Sequence, residues 1–450
     1  MEGVIMLRWA YLVTAYIIIG LVVYFAGGKG FQPPPCCESL DTGHGGAHSN
    51  AVVNNRGWDG LLECRMIHEQ ADAVKPGLNE PFIDPAFGTT VLRVSDVSAE
   101  KGSSRFSHAT PFNADNSYML IQTPGSEWLL LDVPGFKTKK YVRDSSGSPL
   151  TGDVEPYWHP LDPNFLYYLR DNKFWVYDVA IGQSKVLHTF DDYIRVTGTV
   201  KGKLSREGSR IALLGFDKLS GLPSEVFIYN IREDKAGLRL KTSFAPEGIS
   251  WVTVTPGGDY CIIGWGQAGF GQGQGTELYN TEMEPVRRLI DTVRPGELAY
   301  DTDNTQVYVV SGIDSAKWQN TNCILRVSIP SGQTVPVQTL ECCYKVGLSG
   351  LALERKGWIL VSTFRGKEQK CGRGCEDGWK LYQDEVYILK LDGTGTTRRV
   401  AHHRANYKSY EEPFITTNQD MSYVVWNSNW GGDGGHDVYI ADLTREVRKQ

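Results

Sequence analysis

Two stretches near the start of a long repeat decide the fold. Residues 108–133 read HATPFNADNSYMLIQTPGSEWLLLDV, and residues 154–179 read VEPYWHPLDPNFLYYLRDNKFWVYDV. In each, a first strand leads through a polar turn into two further strands rich in aromatic and aliphatic residues. Five more copies follow before the chain ends at Gln450. The same turn position in the seven copies is marked by Asp115, Asp162, Glu207, Gly257, Asp303, Lys356 and Asp420.

The spacing of these turn markers indicates a β-propeller. Successive markers are 45 to 64 residues apart, which suits one small sheet of three to four strands per copy. Only neighbouring sheets can cover the two apolar faces of each sheet, so the sheets must stand in a ring. We expect a strand at 89–96 to pair with the last copy and close this ring. The sequence therefore predicts an all-β, seven-bladed propeller over 86–450, with six or eight blades as alternatives.

The N-terminal segment has the character of a membrane anchor. Residues 9–26 contain no charged side chain over 18 positions, which is about 27 Å of helix against a bilayer core of about 30 Å. The run is longer than the apolar region of a cleaved signal peptide, about 7–15 residues. Arg8 precedes it and favours an N-terminus inside the cell. We predict a single transmembrane helix within 1–27, with the propeller in the periplasm or the extracellular space.

The anchor and the propeller are predicted to be joined by an extended arm at 28–85. Its first part is rich in Gly, Pro, Asn and Ser and shows no periodicity. Farther on, apolar residues share one face of a short predicted helix at 61–74. Those residues are Leu61, Leu62, Met66, Ile67 and Ala71.

Nine cysteines in an exported chain favour disulfides. Cys371 and Cys375 are the best local pair, and either Cys36 or Cys37 is expected to bridge to Cys64. A zinc-type site is an alternative, because Cys64 and His68 are four residues apart and further histidines lie near Cys37. Free, packed thiols are the third interpretation.

Charge and composition exclude some partners. The net charge is -6 and no basic block occurs, so we predict no nucleic-acid partner. The glycine-rich residues 264–275 lack the Lys-Ser/Thr of a phosphate-binding loop and follow a strand without preceding a helix. They are interpreted as a long loop between strands.

Three segments resemble a known superfamily. FSHATPFNADNS at 106–117, EPYWHPLDPNFLYY at 155–168, and the region 401–432 with AHHRANYKSYEEPF and VVWNSNWGG resemble the TolB/WD40-like propellers. More narrowly, they resemble the propellers of oligogalacturonate lyases and ulvan lyases. The resemblance covers most of residues 86–443 and implies a candidate site at one mouth of the ring.

The resemblance also implies a set of lyase residues. Such lyases need a base, an acid and a positive group near a uronate carboxylate. His108 follows Arg105 on a first strand and matches a place where a lyase histidine stands. Tyr141 and Arg143 would substitute for missing members of the set only if loops bring them to the mouth. Trp128 occupies the region where the ulvan-lyase pattern has a second histidine. This departure favours a propeller without catalytic activity.

Two other elements are candidate ligand sites. His402 and His403 would form a divalent metal site with a third ligand such as Glu411, Glu412 or His108. The alternative is that both imidazoles bond to the backbone at a strand end. Near the C-terminus, Trp430 and Asn429 are candidates for stacking on, and hydrogen bonding to, a sugar. Trp426 is expected in the core. No cofactor is predicted apart from that metal.

Three hypotheses for function follow. The first is a membrane-anchored, non-catalytic propeller that serves as a scaffold or accessory subunit of a larger membrane protein complex. The second is a polysaccharide lyase or a related enzyme acting on uronate-containing polymers. The third is a glycan or peptide binder that works alone. The anchor and the departures from the lyase pattern favour the first hypothesis, with the membrane and other membrane-protein subunits as partners.

Overall fold

The computed structural model shows a ring of seven β-sheets, which is the predicted seven-bladed propeller. Within the part of the chain that it describes, a 3-10 turn at Trp58–Gly60 is the only helical element. The described residues are 58–96, 105–106, 110–151, 154–198, 203–245, 248–269, 271–294, 296–311, 323–340, 344–365, 378–406, 413–432 and 434–444.

The strands are numbered in chain order, and each blade begins with its innermost strand. Before the first blade come β1 (Pro81–Ile83) and β2 (Thr90–Arg93). Blade 1 has β3 (Arg105–Phe106), β4 (Tyr118–Gln122), β5 (Trp128–Asp132) and β6 (Thr138–Tyr141). Blade 2 has β7 (Tyr157–Trp158), β8 (Phe165–Arg170), β9 (Lys173–Asp178) and β10 (Gln183–Thr189). Blade 3 has β11 (Tyr193–Thr197), β12 (Arg210–Asp217), β13 (Pro223–Asn230) and β14 (Lys235–Lys241).

The second half of the ring follows the same plan. Blade 4 has β15 (Ile249–Val254), β16 (Tyr260–Trp265), β17 (Thr276–Asn280) and β18 (Pro285–Ile290). Blade 5 has β19 (Glu297–Tyr300), β20 (Gln306–Ser311), β21 (Cys323–Ser328) and β22 (Thr334–Thr339). Blade 6 has β23 (Lys345–Ser349), β24 (Trp358–Phe364), β25 (Glu385–Lys390) and β26 (Thr397–His402). Blade 7 takes β27 (Ile415–Thr417), β28 (Tyr423–Ser428) and β29 (Asp437–Asp442) from the C-terminal end.

Blade 7 contains strands from both ends of the described chain. Its order is β1-β2-β29-β28-β27, so two early strands form its outer part. Strand β2 runs antiparallel to β29 with Val91 opposite Ala441 and Leu92 opposite Ile440. The pairing satisfies backbone groups that would otherwise form two exposed sheet edges.

The core is divided into seven apolar clusters, and each cluster lies between two neighbouring blades. Trp265 is fully buried between blades 3 and 4, and Trp426, expected in the core from its sequence, is fully buried between blades 6 and 7. Burial of both faces of each sheet explains why the strands nearest the middle of each blade are almost continuously apolar.

The seven marker residues all lie in the turns between the first and second strands of their blades. Hydrogen bonds join these turns around the ring. Examples are Asn418 Nδ2 to Asn116 Oδ1 (3.1 Å), Asn113 Nδ2 to the Pro163 carbonyl (3.1 Å), Arg210 Nη1 to the Gly258 carbonyl (2.7 Å) and Arg355 Nε to the Asp420 carbonyl (2.8 Å).

Gly350, just after β23, tests how closely the blades approach at the axis. A Cβ atom at this position would lie 2.1 Å from the carbonyl oxygen of Leu298 in blade 5. We therefore expect Gly350→Ala to lower the free energy of unfolding by at least about 1–3 kcal/mol, measured by urea unfolding. Gly434→Ala is the control, because a Cβ there meets nothing within 4 Å. Equal effects of the two changes would contradict close packing at the axis.

The described residues include no helix that is long and apolar enough to span a bilayer. The predicted anchor at 9–26 lies outside the described residues, as do the first thirty residues of the predicted arm.

Candidate functional site

Residues 58–80, called the strap below, begin with the 3-10 turn at Trp58–Gly60 and continue without a helix along blades 6 and 7. The Trp58 amide donates to the Leu443 carbonyl (3.2 Å), and the Arg399 amide of β26 donates to the Leu62 carbonyl (2.9 Å). Leu61 is buried in the apolar cluster between these two blades. The strap is thus part of the propeller's packing, and the described part of the predicted arm is docked on the ring.

The helix predicted at 61–74 is wrong, because side chains of the blades take the carbonyls that a helix would use. These donors come from β2, from the end of β26 and from the loop after β28. They are Arg399 Nη1 to Cys64 O (3.1 Å) and Met66 O (3.0 Å), His402 Nε2 to His68 O (3.0 Å), Arg404 Nη1 to Ala71 O (2.8 Å), Trp430 Nε1 to Ala73 O (2.9 Å), and Arg93 Nε to Pro76 O (2.9 Å). We call these five side chains the strap groove.

A buried ion pair with Glu385 holds Arg399 in place. Arg399 and Glu385 have fully buried side chains, and Arg399 donates from Nε and Nη2 to the two carboxylate oxygens. The guanidinium also lies over the rings of Tyr382 (4.8 Å) and Phe87 (5.2 Å). Burial raises the pKa of Glu385 to about 7, against the lowering effect of Arg399. The pair orients Arg399 so that its remaining Nη1 group faces the strap.

Arg404 is the second buried cation of the groove. Its backbone φ is +54°, a conformation uncommon for residues other than glycine. Its guanidinium carbon lies 5.0 Å from the ring centre of Phe82 and 5.1 Å from that of Trp430. Cation–π attraction of this kind strengthens when the cation is removed from water. Arg404 thus combines an unusual backbone conformation with a guanidinium group that lies between aromatic rings and donates to the strap.

Trp430 and Asn429, the predicted sugar-binding pair, both contact protein. The Trp430 ring stacks on Tyr439 (5.1 Å between ring centres, 22° between planes) and meets Phe82 edge-on (5.1 Å). The Asn429 amide accepts from the Asn406 backbone N–H (2.7 Å) and donates to the Asn406 carbonyl (3.1 Å). In this structure the two side chains hold the strap and a loop, while glycan stacking stays a prediction.

His402 and His403 do not present their nitrogens to one point. The two rings bond to different backbone groups. His403 Nε2 lies 3.1 Å from the Thr363 carbonyl, and its Nδ1 accepts from the Ala405 N–H (3.1 Å). His402 Nε2 is taken by His68 O, which leaves only a buried Nδ1 without a hydrogen bond. Burial lowers the pKa of both imidazoles, that of His402 to about 3.

The arrangement therefore does not fit a metal bound by this pair. Among the described residues, no group of three His, Cys, Asp or Glu side chains is placed to hold an ion. The proposed third ligands His108, Glu411 and Glu412 lie outside the described residues.

Asp84, which the sequence did not single out, lies beside His402. Its side chain is fully buried, and its Oδ2 accepts the backbone N–H of His402 (3.1 Å) and lies 3.9 Å from His402 Nδ1. Its Oδ1 accepts the N–H groups of Ala86 (2.9 Å) and Phe87 (3.2 Å). Burial raises the pKa of Asp84, although these three N–H groups and Arg404 oppose the shift. The carboxylate thus fixes the end of β26, where the groove residues stand.

Of the predicted lyase set, the structure describes the backbone of Arg105 and the residues Tyr141 and Arg143. Arg105 starts the innermost strand of blade 1, whereas Tyr141 ends the outermost strand, three strand spacings or roughly 14 Å away. Arg143 follows Tyr141 and donates to the Gly147 carbonyl (2.7 Å) within its own loop. His108 lies outside the described residues, so the set as a whole stays a prediction.

Cys64 carries a free thiol, so the structure does not contain its predicted bridge to Cys36 or Cys37. Its Sγ lies 3.4 Å from His68 Nε2, and both residues belong to the strap. The partners Cys36 and Cys37, and the predicted pair Cys371 and Cys375, lie outside the described residues.

An ion pair lies near the axis of the ring. Lys203 belongs to the inner part of blade 3, and its Nζ pairs with Glu297 Oε2 at the start of β19 in blade 5. The Gly350 N–H of blade 6 also approaches that oxygen (3.4 Å). Three blades therefore meet at one buried carboxylate. Glu297 has 5% of its side chain exposed and Lys203 14%, so both members of the pair are largely shielded from water.

No protein-family model and no curated protein matches this chain. Solved structures do match. An oligogalacturonate lyase in complex with manganese aligns with a TM-score of 0.58 and 13% identity, over 82% of this chain and 96% of that one. The oligogalacturonate lyase of Vibrio parahaemolyticus aligns with a TM-score of 0.57 and 13% identity, over 82% and 97%. A Myceliophteria thermophila Cps50 (Swd1) β-propeller domain aligns with a TM-score of 0.45.

At this identity the likeness defines the fold and leaves the activity open. The chain is a seven-bladed β-propeller, similar in fold to the oligogalacturonate lyases, as the sequence motifs predicted.

Proposed function

We propose that this chain is a non-catalytic propeller, anchored in a membrane by residues 9–26, that serves as an extracytoplasmic accessory subunit of a membrane protein complex. The observation that carries the proposal is the docked strap. A strap held at six carbonyls gives the N-terminal part of the chain a fixed point of departure at Trp58. Docking of the strap puts this point of departure on blades 6 and 7, which suits a propeller that is tethered through its N-terminal part.

The outer face of the strap supports a protein partner. Four apolar side chains point away from the propeller although the backbone beneath them is fixed. Their exposed fractions are 63% for Met66, 52% for Ile67, 89% for Val74 and 47% for Leu78. Met66 and Ile67 are adjacent, and Val74 and Leu78 follow along the same docked segment. Exposed apolar side chains on an ordered surface are common at interaction sites.

The charges around this face favour a protein over an anionic lipid surface. Glu69, Asp72 and Glu80 are exposed in the same segment, against Arg65. An excess of carboxylates is repelled by acidic headgroups and is complementary to basic side chains at the rim of a protein interface.

The experiment is purification of the intact chain from its native membranes in a mild detergent. We expect reproducible co-purifying subunits, and we expect Met66→Lys combined with Val74→Lys to remove them without unfolding the propeller. Leu219→Lys is the matched control, because Leu219 is 97% exposed on blade 3, away from the strap. Recovery of a lone chain without detergent would contradict the proposal.

The second candidate is an enzyme or binder acting on uronate-containing glycans. The likeness of the whole ring to two oligogalacturonate lyases favours it, and one of those was solved with manganese. The test is incubation of the purified chain with polygalacturonate, with and without Mn²⁺, while the ultraviolet absorbance of unsaturated products is followed. Turnover that is lost in His108→Ala would establish this function in place of the first.

A further inference from the structure

We infer that the strap groove is a peptide-binding site, whose ligand is this chain's own residues 58–77, and that it accepts the same segment from a second copy of the chain. The inference does not rest on the proposed membrane function. It follows from how the strap is recognised and from what holds the recognising side chains in place.

Recognition is directed mainly at the main chain of the strap. Six of its carbonyls, spread over residues 64–76, accept bonds from groove side chains, and a seventh, that of Leu62, pairs with β26. Extended peptides that bind at sheet edges are held in the same way, by main-chain bonds that give affinity and a few pockets that give specificity.

Two strap side chains supply the specificity. Leu61 is buried between blades 6 and 7. Trp58 meets Trp358 edge-on (5.7 Å) and lies under the guanidinium groups of Arg355 (4.6 Å) and Arg398 (4.9 Å). Aromatic and aliphatic anchors of this kind dominate the energetics of peptide interfaces. The site therefore reads an aromatic and a leucine three residues apart, followed by an extended backbone.

Three of the five groove residues have contacts that do not involve the strap. Glu385 holds Arg399, and Tyr439 stacks on Trp430. The backbone of His402 is held by Asp84, which lies after the strap in sequence. A site whose donors are already oriented loses little conformational freedom when the peptide binds. This makes the groove competent to bind a strap that is not covalently attached.

The test uses the full chain with a protease recognition sequence inserted between Gly77 and Leu78. After cleavage in mild detergent, we expect the N-terminal fragment to stay with the propeller through size-exclusion chromatography. An excess of a synthetic peptide of residues 58–77 should then displace it. A fluorescent form of that peptide should bind to the cleaved protein in proportion to the fragment released.

Variant peptides distinguish recognition of the main chain and the two anchor side chains from non-specific hydrophobic binding. The peptide with Met66→Ser, Ile67→Ser and Val74→Ser should displace the fragment as well as the native peptide, because these side chains face outward. The peptide with Trp58→Ala and Leu61→Ala should fail. In cleaved Arg404→Met protein, loss of a charged donor should speed displacement about tenfold or more.

Two results would overturn the inference. One is immediate loss of the fragment on cleavage while the propeller stays folded, judged by its urea midpoint. The other is a fragment that stays bound but never exchanges with excess peptide, because the strap is then a permanent part of the core. Equal displacement by the Trp58→Ala, Leu61→Ala peptide would likewise contradict a specific site.

Discussion

Arg399→Met is expected to lower the free energy of unfolding by about 3–5 kcal/mol, because it leaves the carboxylate of Glu385 buried without its counter-charge. Both side chains are fully buried, so water cannot replace the lost partner. The same change removes the donor that binds the carbonyls of Cys64 and Met66. Urea unfolding measures the first effect, and tryptic cleavage after the exposed Arg65 measures the second.

The double variant Arg399→Met, Glu385→Met separates these two effects. Replacing a whole buried ion pair by apolar residues is commonly neutral or stabilising, so we expect the unfolding free energy to return close to that of the unchanged protein. The strap bonds stay lost, so cleavage after Arg65 should remain fast. If the double variant restores both stability and resistance to trypsin, Arg399 does not hold the strap.

Acid is expected to destabilise the propeller through His402. Its pKa lies near 3 in the folded state, chiefly because of burial, and at 6.5 in the unfolded chain. Between these values the unfolded state binds a proton that the folded state does not, so stability falls as pH falls. The expected loss is about 1.4 kcal/mol per pH unit below 6.5, or about 4–5 kcal/mol by pH 3.

Neighbouring groups modify this slope. Arg399, Arg404 and His403 add to the lowering of the pKa of His402. Because burial lowers the pKa of His403 as well, this second imidazole contributes with the same sign. Asp84 acts in the opposite direction, since its raised pKa makes the folded state take up a proton first. The total slope is therefore a sum, and the share of His402 has to be isolated by a variant.

His402→Gln provides that variant, because a glutamine amide can still donate to the His68 carbonyl. Unfolding free energies from urea titrations between pH 7.5 and 4.5 should run parallel for the two proteins above pH 6.5. Below pH 6.5, the free energy of unfolding of the unchanged protein should fall more steeply than that of the variant, by about 1.4 kcal/mol per pH unit. Identical slopes over the whole range would show that His402 takes up no proton on unfolding.

The repeat was readable from the sequence because each copy carries the same turn between two apolar strands. All seven markers, from Asp115 to Asp420, lie in that turn. The outermost strands were harder to recognise. Strands such as β14, Lys235–Lys241, are mostly exposed, since no neighbouring blade covers them. A strand without a buried face has little hydrophobic periodicity to distinguish it from a loop.

The strap could not be predicted from local pattern. Residues 61–74 have the apolar spacing of a helix, but the donors that take their carbonyls come from more than 300 positions along the chain, such as Arg404 for Ala71. Tertiary contacts of this range override local propensity. The signal that was missed is the placement of Glu385, Arg399 and Arg404 in or beside otherwise apolar strands, where a charge needs a buried partner.

The mixed origin of blade 7 has a consequence for how the protein is made. Arg93 leaves the ribosome 344 residues before Asp437, its ion-pair partner on β29. Domains usually begin to fold from the N-terminus during synthesis. Here β2 can pair with β29 only after nearly the whole chain has been synthesised. A chain truncated in its last blade would leave the apolar faces of blades 6 and 1 uncovered. Chaperones and proteases could recognise incomplete copies by these exposed faces.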